Sequence, residues 1–132
     1  MIPTLLRRTA LACYVALLTV SSALAGAADY EFQPVAVDVK NGAGSALAVR
    51  LIHKPTNKPV PGAVVFRTRL DMGPDKMAAM TAEHRAVPGD EPGVYRFTAD
   101  LTMAGGWALR LMAKVQGEAE TVQGVVVFQA RN

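Results

Sequence analysis

Trp107-Ala-Leu-Arg-Leu-Met-Ala-Lys-Val115 is the stretch that decides the fold. Trp107, Leu109, Leu111, Ala113 and Val115 fall on one side of an extended chain, and Arg110, Met112 and Lys114 fall on the other. Successive side chains of a strand leave the backbone on opposite sides, so this period of two marks a strand with one buried face. Trp107 reads as its core anchor, with an indole N–H that needs a partner. Working outward, Tyr95, Phe97 and Ala99 alternate with Arg96, Thr98 and Asp100. Val64, Phe66, Thr68 and Leu70 alternate with Val65, Arg67 and Arg69, and Leu47, Val49 and Leu51 with Ala48, Arg50 and Ile52. A first strand is expected at residues 35–39. A last one is expected at residues 121–129, whose Val125-Val-Val-Phe128 centre suggests a strand covered on both faces.

Turn chemistry separates these runs. Lys54-Pro-Thr-Asn-Lys-Pro-Val-Pro-Gly62, Pro88-Gly-Asp-Glu-Pro-Gly93 and Asn41-Gly-Ala-Gly44 supply fixed φ angles and glycines where strands must end. About seven strands at this spacing describe an all-β, two-sheet antiparallel sandwich. No long helical run, internal repeat or low-complexity segment interrupts it.

Residues 1–25 read as a cleaved signal peptide. Arg7 and Arg8 form a basic start, residues 11–20 are apolar but too short for a confident membrane span, and Ala23-Leu24-Ala25 offers small residues for cleavage. A periplasmic domain of residues 26–132 would remain, about 107 residues long, enough for one core. The only cysteine, Cys13, would leave with the leader, taking with it any disulfide, thiolate metal site or cysteine nucleophile. The net charge of +3 includes Arg7 and Arg8, so the remainder is close to neutral and carries no nucleic-acid footprint.

Chemistry concentrates in Arg69-Leu-Asp-Met72-Gly-Pro-Asp-Lys-Met77-Ala-Ala-Met80-Thr-Ala-Glu-His84. Thioethers and imidazole suit monovalent copper or silver, whereas structural zinc sites want thiolates or several imidazoles. If residues 75–84 form a helical turn or two, Met77, Met80 and His84 face one way, with Met72 reaching them across Gly73-Pro74. Met72, Met77, Met80 and His84 are therefore the candidate metal ligands. The plain alternative is that Met72 or Met80 plugs the open end of the sandwich. Asp71, Asp75 and Glu83 read as solvated charges, His53 as a surface residue, Met103 as core packing, and Met112 as exposed or interfacial. With few serines and two histidines the catalytic options are thin, and the expectation is a protein that is not an enzyme.

Pro59-Val-Pro-Gly-Ala-Val-Val-Phe66, the Arg69-Leu-Asp-Met72 loop start with Met77 and Met80, Glu91-Pro-Gly-Val-Tyr-Arg-Phe97 and Leu101-Thr-Met-Ala-Gly-Gly-Trp-Ala-Leu109 together resemble the YtkA-like/FixH family of small exported bacterial domains. The resemblance runs from about residue 30 to 130 and implies an immunoglobulin-like β-sandwich. It further implies a link either to assembly of a haem-copper oxidase or to heavy-metal efflux systems. The cleavable leader and the three methionines point to the efflux branch. The resulting expectation is a periplasmic accessory that binds Cu(I) or Ag(I) through the methionine-rich loop, uses no organic cofactor, and hands the ion to a component of a heavy-metal efflux system. The alternative is a metal-free interaction module docking on a membrane complex, an efflux pump or a respiratory oxidase assembly. A third reading is a small-ligand binder using the sandwich interior.

Overall fold

A computed structural model of the protein describes residues 26–132, so the expected leader lies outside the described residues. Ten strands follow a short 3-10 turn at Ala27–Asp29: β1 (Tyr30–Pro34), β2 (Asp38–Lys40), β3 (Gly42–His53), β4 (Lys58–Pro59), β5 (Val64–Met72), β6 (Met77–Thr81), β7 (His84–Val87), β8 (Val94–Leu101), β9 (Gly105–Lys114) and β10 (Val122–Arg131). They form two sheets. The first has the order β1-β3-β8-β7, with β4 attached to β3, and the second the order β2-β10-β9-β5-β6. This is the strand order of an immunoglobulin-like sandwich, in which the chain's first edge strand is shared between the sheets. Here β1 pairs antiparallel with β3, and β2 pairs parallel with β10. The strand expected at residues 35–39 is thus largely the crossing itself. Strands β4, β6 and β7 are also beyond the expected count, because such short edge pieces are set by pairing and carry too few residues to show a period.

The Trp107 stretch forms β9, flanked by β10 and β5. Trp107, Leu109 and Leu111 are fully buried against Leu47, Leu51 and Phe128. The Trp107 indole N–H donates to the Met103 carbonyl at 3.0 Å, so the ring is buried without an orphaned donor. Gly124 on β10 makes room for an inter-sheet contact, since a Cβ there would stand 2.6 Å from Cδ2 of Phe32.

Two strands depart from their expected pattern. β10 is covered on one face only, with Val122, Val126, Phe128 and Ala130 buried while Val125 and Val127 are 52% and 40% exposed. β5 carries a bulge: Val65 pairs with Ala113 and Arg67 with Met112, which leaves Phe66 as the extra residue. The alternation therefore changes phase within the strand. Val65 packs on the core, Val64 and Phe66 lie 62% and 50% exposed, and beyond the bulge Leu70 is buried.

Leu109→Ala is expected to destabilise the domain by about 2–5 kcal/mol through lost transfer energy and a residual cavity. Val125→Ala should stay within about 0.5 kcal/mol, as an exposed position does. Urea unfolding of the two variants checks both values.

Candidate functional site

The methionine loop leaves β5 at its C-terminal end. Gly73–Asp75 makes a single 3-10 turn, and Lys76 then adopts the left-handed region at φ 60°. The helix expected over residues 75–84 is not formed. A left-handed residue stops a right-handed helix after one turn, and the chain then returns as β6 beside β5, with Met77 opposite Met72 and Thr81 opposite Asp71. The helical propensity of Ala78 and Ala79 yields to this pairing.

Without that helix, Met77, Met80 and His84 lie on two strands, β6 and β7, and share no helical face. Met72 is completely buried in the core, its methyl group against Gly105. Met80 is half-buried and packs on the core from its edge. Met77 is 37% exposed. His84 begins β7 in the other sheet, where its Nε2 meets Thr68 Oγ1 at 2.6 Å and its Nδ1 meets the Ala82 carbonyl at 3.0 Å. The structure therefore brings Met72 and Met77 together in register, but buries the first and commits both nitrogens of His84 elsewhere. Met103, expected in the core, is instead 38% exposed two residues from Gly105, on the same rim as Met77. Among the described residues no group of three or more His, Cys, Asp or Glu side chains stands ready for a metal ion. His53 is half-buried, with Nδ1 2.8 Å from Thr56 Oγ1 and its ring tilted on Tyr30.

Asp71, expected to be a solvated charge, is 1% exposed. Its carboxylate accepts from Arg110 Nε at 2.8 Å, Arg69 Nε at 3.1 Å and the Gly73 backbone N–H at 2.8 Å. The Arg110 hydrogen bond, reinforced by those of Gly73 and Arg69, holds the carboxyl below its ordinary value of 3.8 against the opposing effect of burial. The same pairing raises the Arg110 guanidinium. Asp75 remains exposed but accepts from the Gly106 N–H at 3.1 Å, fastening the turn to the start of β9. These two acids tie the loop to the second sheet from opposite ends. The sequence signal was present in Arg69-Leu-Asp71-Met72-Gly73, which holds one arginine partner and the glycine donor, but the second arginine, Arg110, is 39 residues away.

The outward face of the second sheet carries the more unusual surface. Register places Val125 beside Arg110 and Arg69, Gln123 beside Met112 and Arg67, and Lys114 beside Val64. Exposed valines, Phe66 and the half-buried Met112 thus alternate with cations. β5, β9 and β10 contain one carboxylate between them, Asp71, against Arg67, Arg69, Arg110, Lys114 and Arg131. The described residues also hold two surface grooves. One of about 440 Å³ is lined by Ala82, Glu83, His84, Arg85, Thr98 and Asp100, and one of about 420 Å³ lies between the start of β5 and the β7–β8 turn.

Comparison with known proteins matches the YtkA-like family over residues 24–112. The chain belongs to the YtkA-like family. The match ends at Met112 within β9, so β10 and its exposed valines lie beyond it. No curated protein matches this YtkA-like chain. Among solved structures it is similar to the adhesin InvE of Yersinia pseudotuberculosis, at 15% identity and a TM-score of 0.46. That likeness covers 80% of this chain and 27% of the adhesin, so the chain spans about a quarter of that protein's length. Among the described residues no helix is long and apolar enough to cross a membrane.

Folding lowers the Asp71 pKa, so the clamp stabilises fully above the ordinary carboxylate range and loses that contribution as pH falls through the folded value. Asp71→Asn should cost about 1–2 kcal/mol at neutral pH, toward the low end for a buried charged acceptor because both arginines are half in water. It should also flatten the loss of stability below about pH 4. Unfolding midpoints of wild type and variant across that range check both.

Proposed function

We propose that this YtkA-like domain is a non-catalytic periplasmic accessory of the family's heavy-metal efflux branch, and that it works by docking on a membrane-associated partner. The observation that carries this reading is the outward face of the second sheet, where Val64, Phe66, Val125 and Val127 stand exposed among Arg67, Arg69, Arg110 and Lys114. Two exposed apolar pairs, Val64 with Phe66 on β5 and Val125 with Val127 on β10, set among cations on a rigid sheet, have the composition of an interaction surface. Burying four such side chains supplies hydrophobic association. The arginines add orientation, and Asp71 holds two of them in place before any partner arrives.

Replacing both Val125 and Val127 by Asp tests this. Both positions are exposed, so the unfolding midpoint should change little, while in-cell crosslinking to a membrane-associated partner should drop at least tenfold. Crosslinking that persists at wild-type level in the double variant would remove the valine face as the docking surface.

A second reading keeps the soft cation and is favoured by one observation, the exposure of Met77 and Met103 on one rim of the sandwich. Thioethers reachable from water bind Cu(I) or Ag(I) weakly and release the ion one bond at a time. Titration with Cu(I) against a competing chelator should then show weak binding that Met77→Leu and Met103→Leu remove together. The buried Met72 should contribute only stability. An unchanged affinity in that double variant would refute the rim site.

A further inference from the structure

The second sheet has an unfinished margin. β6 accompanies β5 only at Asp71 and Met72, and the Ala82 N–H reaches the Leu70 carbonyl. Residues 64–69 therefore have β9 on one side and, among the described residues, no strand on the other. On the same side of the sandwich β7 is the last strand of the first sheet. The side-chain contact between His84 and Thr68 ties the two margins together at one point. Toward Val64 the gap opens into the groove of about 420 Å³, where Val65, Val87 and Phe97 contribute apolar wall.

A free margin offers a row of backbone N–H and C=O groups to any extended chain. Natural edges are commonly blunted by charged side chains, proline, an inward charge or a bulge; residues 64–69 have no proline and no inward charge, and carry the bulge at Phe66 and two outward arginines. The bulge at Phe66 disturbs one end and leaves the register regular from Arg67 to Asp71. Arg67 and Arg69 project outward along that regular part.

We propose that this margin takes up an extended segment of a partner protein as an added strand beside β5, and that the segment alternates apolar and acidic residues. Its backbone continues the ladder where β6 leaves off. Its apolar side chains turn into the groove against Val65 and Val87, and its carboxylates turn outward to Arg67 and Arg69. Strand addition of this kind takes affinity from main-chain hydrogen bonds and specificity from alternate side chains. The charge balance selects the partner, because β5, β9 and β10 hold one carboxylate and Asp71 is already bonded by Arg69 and Arg110. A second copy of the chain is disfavoured, since pairing β5 with β5 would set arginines against arginines. A lipid surface is disfavoured as well, since hydrocarbon leaves strand-edge N–H and C=O groups unsatisfied. This inference rests on the docking reading and deepens it by naming the chemistry of the partner.

The probe is a capped ten-residue peptide of alternating valine and glutamate, added to the full chain and followed by amide hydrogen exchange. The expected result is at least tenfold slower exchange at the Thr68 amide, which points away from β9 because the Leu70 carbonyl two residues on reaches Ala82 instead. The effect should vanish when alternate peptide nitrogens are methylated, or when lysine replaces glutamate. Arg67→Glu, at an exposed position, should reverse the preference toward the lysine peptide. No slowing at β5, or equal slowing by the methylated peptide, overturns the proposal. Slowing confined to β10 around Val125 and Val127 also overturns it while leaving the docking reading intact. Slowing at β5 together with wild-type crosslinking in the Val125 and Val127 double variant would instead remove the valine face and retain the margin. Protection produced by anionic phospholipid vesicles but not by the peptide, or by self-association in sedimentation, would replace the proposed partner with a lipid or a second copy.

Discussion

The contact between the inward side of β9 and the facing sheet is the constraint on which everything else depends. No disulfide can stand in for it within residues 26–132, which contain no cysteine. Trp107, Leu109 and Leu111 must therefore exclude water by packing alone, in one core with Leu47 and Leu51 of the facing sheet and Phe128 of their own. With β9 seated in this way, its neighbours β5 and β10 are placed by backbone pairing. The two strands that carry the exposed valines, Phe66 and the outward arginines owe their positions to a core those residues do not enter.

Asp71 links that core to the surface. It lies on the outer side of β5, immediately beside two fully buried residues, Leu70 and Met72, and draws Arg69 and Arg110 across the sheet. A buried carboxylate without partners would be costly, and here three donors offset its desolvation. The same bonds orient two guanidinium groups on the candidate docking face, so one acid serves both stability and presentation. The methionine loop is held by the same principle. Asp75 fastens it to Gly106, and Met72 anchors it in the interior, which leaves only its outer thioethers in contact with water.

The sequence was most legible where one period ran unbroken. The Trp107 strand, the Tyr95 strand and the Leu47 strand appear where their alternation placed them, and Trp107 found the backbone partner its indole required. Legibility failed where a residue's neighbour comes from far along the chain. The bulge at Phe66 shifts the phase of β5, Val125 and Val127 of β10 look buried in sequence and are half in water, and the spacing of Met77, Met80 and His84 points to a helix that pairing with β5 replaces. Each of these outcomes depends on which strand lies alongside, and a linear pattern carries no record of that.

By itself the amino-acid sequence determined that this is an all-β sandwich, because a period of two in apolar residues leaves an extended chain one face to bury and the turn residues say where it must reverse. It also located the loop at residues 69–84 as the place where polar and sulfur chemistry gathers. Tertiary structure alone decided what that loop offers. It buried Met72, drew His84 into the opposite sheet, enclosed Asp71 between two arginines, and ended β6 early so that, among the described residues, a length of β5 has a strand on one side only. The reason is physical: burial and pairing belong to contacts between segments, and those exist only once the sheets have closed on one another.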